Sequence, residues 1–278
     1  MSLRQFRPTV GLICIIAVMA ASCSSRKAAG APESSSEPEI AVSDSMSSPD
    51  LTLHLLRGPV ARCETIEIPA SLLSDGSLSA PDGAEGTYID SLVFSPQGLL
   101  LSQNSYRIYE GDLQPAAALS FTYTSDGDFL RGTDTSVMPP LQVDLQRNAY
   151  GEITLISVGS SSDDADTSYS YSETFTWGSG RLESRELKAD EVQSRTRYSY
   201  GSGSDPVSAT VRSDDIEQSS VSIETYTYTS RDDRGNWTER RVEISTETRA
   251  YDVEVEPYAD SPSEAITYRI DRRRITYR

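Results

Sequence analysis

A chain of 278 residues, 37% hydrophobic and 24% charged, is long enough for one large β domain or two smaller ones. Its formal net charge of −17 repels phosphate backbones and excludes nucleic acid as an expected partner. One histidine excludes a histidine-rich metal centre within the chain, and 15 tyrosines among many threonines and valines favour pleated sheet over helix.

The first element is an address. Arg4 and Arg7 form a positive n-region, and Val10 to Ala21 form an apolar stretch too short for a comfortable membrane span. Ala20-Ala21-Ser22 then precedes Cys23, and a small tripeptide before cysteine resembles a bacterial lipobox. The resemblance implies cleavage of residues 1–22, lipidation of Cys23, and an envelope location on the outer membrane, at the periplasmic face or the cell surface. Ala20 departs from the leucine usual at that place, and an ordinary secretory signal cut near Ala21 or Ser22 is the alternative. Residues 23–50 continue as a Ser-, Pro- and acid-rich segment without apolar period, which reads as a disordered tether. Cys63 is then the lone thiol of the mature domain and is expected in its core.

Leu51-Thr-Leu-His54-Leu-Leu reads as an apolar, strand-like run, with His54 structural or exposed. From there period-two runs alternate with Gly, Asn, Asp and Ser clusters, the pattern of β-hairpins. Turn glycines fall at Gly98, Gly127, Gly151, Gly180, Gly203 and Gly235, spaced 23 to 32 residues apart, which suggests a repeat of one hairpin and one connection. A last hairpin is expected to turn through Asp271-Arg272-Arg273, with the basic run Arg272-Arg273-Arg274 guarding an edge strand.

Tyr226-Thr-Tyr228, then Asp232-Asp233-Arg234-Gly235-Asn236-Trp237 and Arg240-Arg241, resembles a YD repeat of the RHS type. Degenerate copies surround Tyr123-Thr-Ser-Asp126-Gly127, Trp177 and Tyr200. The resemblance implies an all-β antiparallel meander over residues 51–278, about seven hairpin units in a long curled sheet, with a β-sandwich or barrel as the alternative. About fourteen strands is a large open sheet, and open sheets beyond ~10 strands curl or split.

No G-x-S-x-G elbow, P-loop or G-x-G-x-x-G occurs, so no enzyme activity, cofactor or metal is expected. The acid clusters Asp163-Asp164-Ala165-Asp166 and Asp214-Asp215-Ile216-Glu217 lack calcium-loop spacing and read as solvated connections. Asn236-Trp237-Thr238 matches a glycosylation sequon by accident. Trp177, Tyr198, Tyr200, Tyr226, Tyr228 and Trp237 are the candidate ligand contacts, either as a stacking platform or as filler of the sheet's apolar face. The functional expectation is a lipid-anchored, non-enzymatic scaffold or protein-interaction surface in the envelope. A glycan- or peptide-binding module and a half-barrel carrying a lipid or lipoprotein chain are the alternatives.

Overall fold

The computed structural model describes residues 48–81, 88–109, 112–159, 170–216, 218–250 and 263–278. The signal segment, Cys23 and most of the tether lie outside the described residues, as do Asp163, Asp164, Asp166 and Glu217.

A short helix, α1 (Pro49–Leu53), leads into fifteen strands among the described residues: β1 (Val60–Leu72), β2 (Leu78–Ser79), β3 (Tyr88–Phe94), β4 (Leu100–Tyr109), β5 (Asp112–Tyr123), β6 (Phe129–Asp134), β7 (Leu141–Arg147), β8 (Ile153–Gly159), β9 (Ser170–Gly178), β10 (Arg181–Ala189), β11 (Val192–Tyr200), β12 (Pro206–Asp214), β13 (Gln218–Arg231), β14 (Trp237–Ala250) and β15 (Ser263–Tyr277). From β3 to β15 each strand pairs antiparallel with the next, and β1 pairs with β3. The last strand also pairs with the first, from Val60 opposite Tyr277 to Ala70 opposite Tyr268. The meander is thus a closed barrel of fourteen strands, with β2 a small flap on the end of β1.

Closure corrects the expected long curled sheet in favour of the barrel alternative. An open meander leaves two rows of unpaired backbone groups, and closing it satisfies both. It also removes the expected final hairpin. Asp271-Arg272-Arg273 lie within the continuous strand β15, so no edge exists for the arginines to guard. Arg272 pairs outward with Glu239, whereas Arg273 points into the barrel.

Six tight turns (β3–β4, β5–β6, β7–β8, β9–β10, β11–β12 and β13–β14) crowd one end of the barrel. Four of them share one hydrogen-bond pattern. Ser95, Thr124, Asn148 and Asp232 each accept the N–H of the glycine three residues on, and each donates its own N–H to the residue four on. Their side-chain oxygens accept two further N–H groups, as Asp232 Oδ1 does from Arg234 and Asn236 at 2.9 Å each. The closing glycine needs a positive φ, +76° at Gly235, which an L side chain resists. Gly180 also has a positive φ but Gly203 does not, so the expected six-glycine repeat holds as one turn type at four positions.

Inward and outward positions alternate as the pleat demands. Along β7, Leu141, Val143 and Leu145 are buried while Gln142, Asp144 and Gln146 are exposed. Leu92, Phe94, Leu100, Phe121, Val143, Ile156, Val158 and Phe175 form one continuous apolar cluster on the inner wall from β3 to β10. Cys63 belongs to it, and burial pushes its thiol up from the usual range.

Fourteen strands make a bore wider than that of an eight-stranded barrel, whose side chains alone fill it. Residues 48–58 fill the difference at the tight-turn end. Ser48 caps α1 by accepting the N–H of Leu51 and donates to the Gly98 carbonyl at 2.6 Å. Asp50, fully buried, accepts from the Leu100 N–H at 2.7 Å and takes Arg147 in a two-point ion pair at 2.5 and 2.9 Å. On the far side of the bore Arg57 donates to the Gly235 carbonyl at 2.6 Å and pairs with Asp205 at 3.0 Å. The Arg57 N–H donates to Asn236 Oδ1 at 2.7 Å. Leu51, Leu53 and Leu56 face into the core between these two anchors. The segment is therefore a plug rather than the expected strand. Ser48 to Asp50, assigned to the tether by composition, belong to the folded domain.

Candidate functional site

Beneath the plug the lumen continues as a cavity of about 300 Å³. Leu53, His54 and Leu55 form its roof, and its wall runs from β10 to β15 and onto β1. This half of the bore is polar where the β3–β10 half is apolar. Its centre is an ion network built on alternate residues of β15. Arg269 donates to Asp271 at 2.7 Å and reaches Glu67 at 3.2 Å and Glu224 at 3.7 Å. Arg240 donates to the second Asp271 oxygen at 2.7 Å. Burial pushes the Asp271 carboxyl up, but Arg269 and Arg240 outweigh it and hold it below the usual range. Glu67 has only one close guanidinium, and burial pushes it up to about 7. Tyr226 donates to Glu224 at 2.7 Å, and Arg185 pairs with Glu173 at 2.5 Å.

Arg273 differs from these three. Its guanidinium donates to the carbonyls of His54 at 2.9 Å and Leu55 at 3.2 Å and to Thr65 Oγ1 at 3.3 Å. It packs 3.7 Å from the centre of the Trp237 ring, and Arg240 lies 4.5 Å from the same ring. Among the described residues no carboxylate lies within ion-pair distance of it. Burial pushes it down to about 10, with Arg240 adding to the effect. His54 Nε2 is sealed from solvent and has no hydrogen-bond partner among the described residues. Burial lowers the imidazole to about 3, so it is neutral.

The six candidate aromatics all turn inward or towards the tight-turn rim, and the outer wall carries none of them as a platform. Tyr198 and Tyr226 line the cavity. Trp237 is completely buried. The other three make one recurring contact. Trp177 Nε1 donates to the Ile153 carbonyl at 2.7 Å, Tyr200 to Leu182 at 2.8 Å and Tyr228 to Pro206 at 2.6 Å. Tyr123 does the same to Leu100 at 2.9 Å. In each case an aromatic near the turn end of one strand bonds the first or second residue of the strand before it, latching successive hairpins. Tyr123, Tyr200 and Tyr228 are thus latch residues, whereas Tyr226 bonds Glu224.

Asn236 is also inaccessible. It is fully buried and donates to the Arg57 carbonyl and Tyr277 hydroxyl, so the sequon is hidden in the fold. Asp214 ends β12, and Asp215 Oδ1 accepts the Gln218 N–H in the turn that follows. The arginines of the lumen escaped sequence reasoning. Their signal was period two along β15, Arg269-x-Asp271-x-Arg273, a charged stripe on what the closed sheet makes an inner face.

Fold and site define a plugged β-barrel with a half-polar lumen. No family model matches the chain, and no curated protein matches it. Among solved structures it is similar to a porin-like protein from Bacteroides uniformis ATCC 8492, at 11% identity and a TM-score of 0.40, covering 79% of this chain and 98% of that one. A likeness that distant leaves the description of this barrel to its own strand pairing.

Proposed function

We propose that the protein is a lipid-anchored, non-enzymatic barrel that stands in water beside an envelope membrane and serves as a binding or interaction module. The outer wall carries this reading. A membrane-spanning barrel needs an outward apolar band ≈ 25 Å tall between aromatic girdles. Here β7 presents Gln142, Asp144 and Gln146, β11 presents Gln193, Arg195 and Arg197, and β14 presents Arg241, Glu243 and Ser245. Outward isoleucines meet where β15, β1 and β3 adjoin, Ile68 opposite Ile270 and Ile66 opposite Ile89, but Arg272 beside Ile66 and Arg241 beside Ile270 interrupt this patch, and Ser245 separates Ile223 from Ile266, so no band runs round the barrel. A charged side chain facing lipid costs roughly 2–4 kcal/mol at mid-depth for Arg or Lys. The lipobox-like Ala20-Ala21-Ser22-Cys23 supports attachment through lipid instead. A carrier of lipid chains is less well supported, because the open part of the lumen is lined by arginines and carboxylates.

Intact mass and membrane fractionation of wild type beside Cys23→Ala test this. The expected result is a lipid-sized mass increment and membrane retention in wild type, both lost in the variant. Retention of the folded variant in the membrane after carbonate washing would overturn the water-standing reading. An unmodified wild-type mass would overturn the anchor.

A further inference from the structure

We propose that the lumen beneath the plug is a binding site for a small organic oxyanion, a carboxylate or phosphate ester, received by the guanidinium of Arg273 beside Arg240. Three observations converge there. The first is room: the cavity of about 300 Å³ stands at the lower end of the range for small-molecule sites. The second is uncompensated charge. Arg269 and Arg185 are matched to carboxylates, but Arg273 bonds only neutral oxygens and shares the Trp237 ring with Arg240. A buried guanidinium without a counter-charge is costly, and two like charges on one ring add to that cost. An oxyanion in the lumen removes both, and the planar fork of an arginine favours a two-point contact with carboxylate or phosphate.

The third observation is the roof. The carbonyls of His54 and Leu55, both residues of the cavity lining, accept from the Arg273 guanidinium and hold it in place. A guanidinium already held in place loses less freedom when it meets an anion. Tyr198, Leu187, Val211 and Ile244 supply an apolar and aromatic side to the same cavity. That side fits a ligand with a hydrocarbon or aromatic body behind its charged head. The site does not depend on the anchor, so it stands or falls separately from the envelope reading.

The test is isothermal titration of the purified chain with benzoate, phenyl phosphate, inorganic phosphate and the neutral isostere benzamide. Saturable binding of benzoate or phenyl phosphate is expected, with benzamide at least about tenfold weaker, as loss of a charge-assisted hydrogen bond implies. Arg273→Gln should weaken the oxyanion by about tenfold or more on the same grounds, with the near-UV spectrum unchanged. Should that variant fail to fold, Thr65→Asp, which sets a carboxylate beside the Arg273 guanidinium, should abolish oxyanion binding. Binding of inorganic phosphate alone would keep the anion site and overturn the organic body. Equal binding of benzamide and benzoate, no saturable binding of any oxyanion, or unchanged affinity in Arg273→Gln or Thr65→Asp would overturn the proposal.

Discussion

Replacing Asp50 by alanine should unfasten the plug. Asp50 is wholly buried and holds three hydrogen bonds, two from Arg147 and one from the Leu100 N–H. Removing one partner of a buried ion pair costs roughly 3–5 kcal/mol, because the remaining charge is left without compensation. Arg147 keeps a bond to the Gly151 carbonyl at 2.8 Å and its side chain is 19% exposed, so water recovers part of the loss. The lower end, about 3 kcal/mol, is therefore expected. For a domain of this size that corresponds to a fall in Tm of about 6–12 °C. Asp50→Asn preserves the shape and one acceptor, so it should lose about half as much. Thermal unfolding followed by far-UV circular dichroism reads the effect. Acrylamide quenching of Trp237 at 25 °C should rise if the plug loosens before the barrel melts. A melting point for Asp50→Ala within a degree or so of wild type, with quenching unchanged, would refute the claim that this pair fastens the plug.

Three further outcomes follow from other parts of the fold. His54 is neutral in the folded barrel, lowered to about 3, whereas the unfolded chain takes a proton near 6.5. Its contribution to stability is therefore present above pH 6.5 and is lost as pH falls towards 3, amounting to about 2 kcal/mol by pH 5. Denaturant titrations of wild type and His54→Gln at pH 7.5 and pH 5 should show this difference, and parallel pH dependence would contradict it. Tyr228→Phe deletes the 2.6 Å bond to the Pro206 carbonyl without changing packing, so a loss of about 1 kcal/mol is expected in the same titration. Gly98→Ala and Gly180→Ala both place a side chain at positive φ, but only the first drives a Cβ to within 2.6 Å of Ser48 Oγ. Gly180→Ala should cost about 1 kcal/mol and Gly98→Ala clearly more, read as the separation of their melting points.

The sequence by itself determined the strands and the turns. Alternation such as Leu141-x-Val143-x-Leu145 and the Ser/Thr/Asn/Asp-x-x-Gly turns at 95–98, 124–127, 148–151 and 232–235 are local patterns, and local sterics and hydrogen bonds decide them. Tertiary structure decided whether the last strand meets the first. That pairing joins residues some 200 positions apart, such as Cys63 and Ile275, and no local signal encodes it. It also reversed the meaning of several residues. Arg273 looked like edge protection in an open sheet and became a buried lumen residue once the sheet closed. His54 looked like part of a strand and became the roof of a cavity, because a fourteen-stranded bore must be filled by something besides its own side chains. Period two says which residues share a face. Only closure says that one of those faces is an interior.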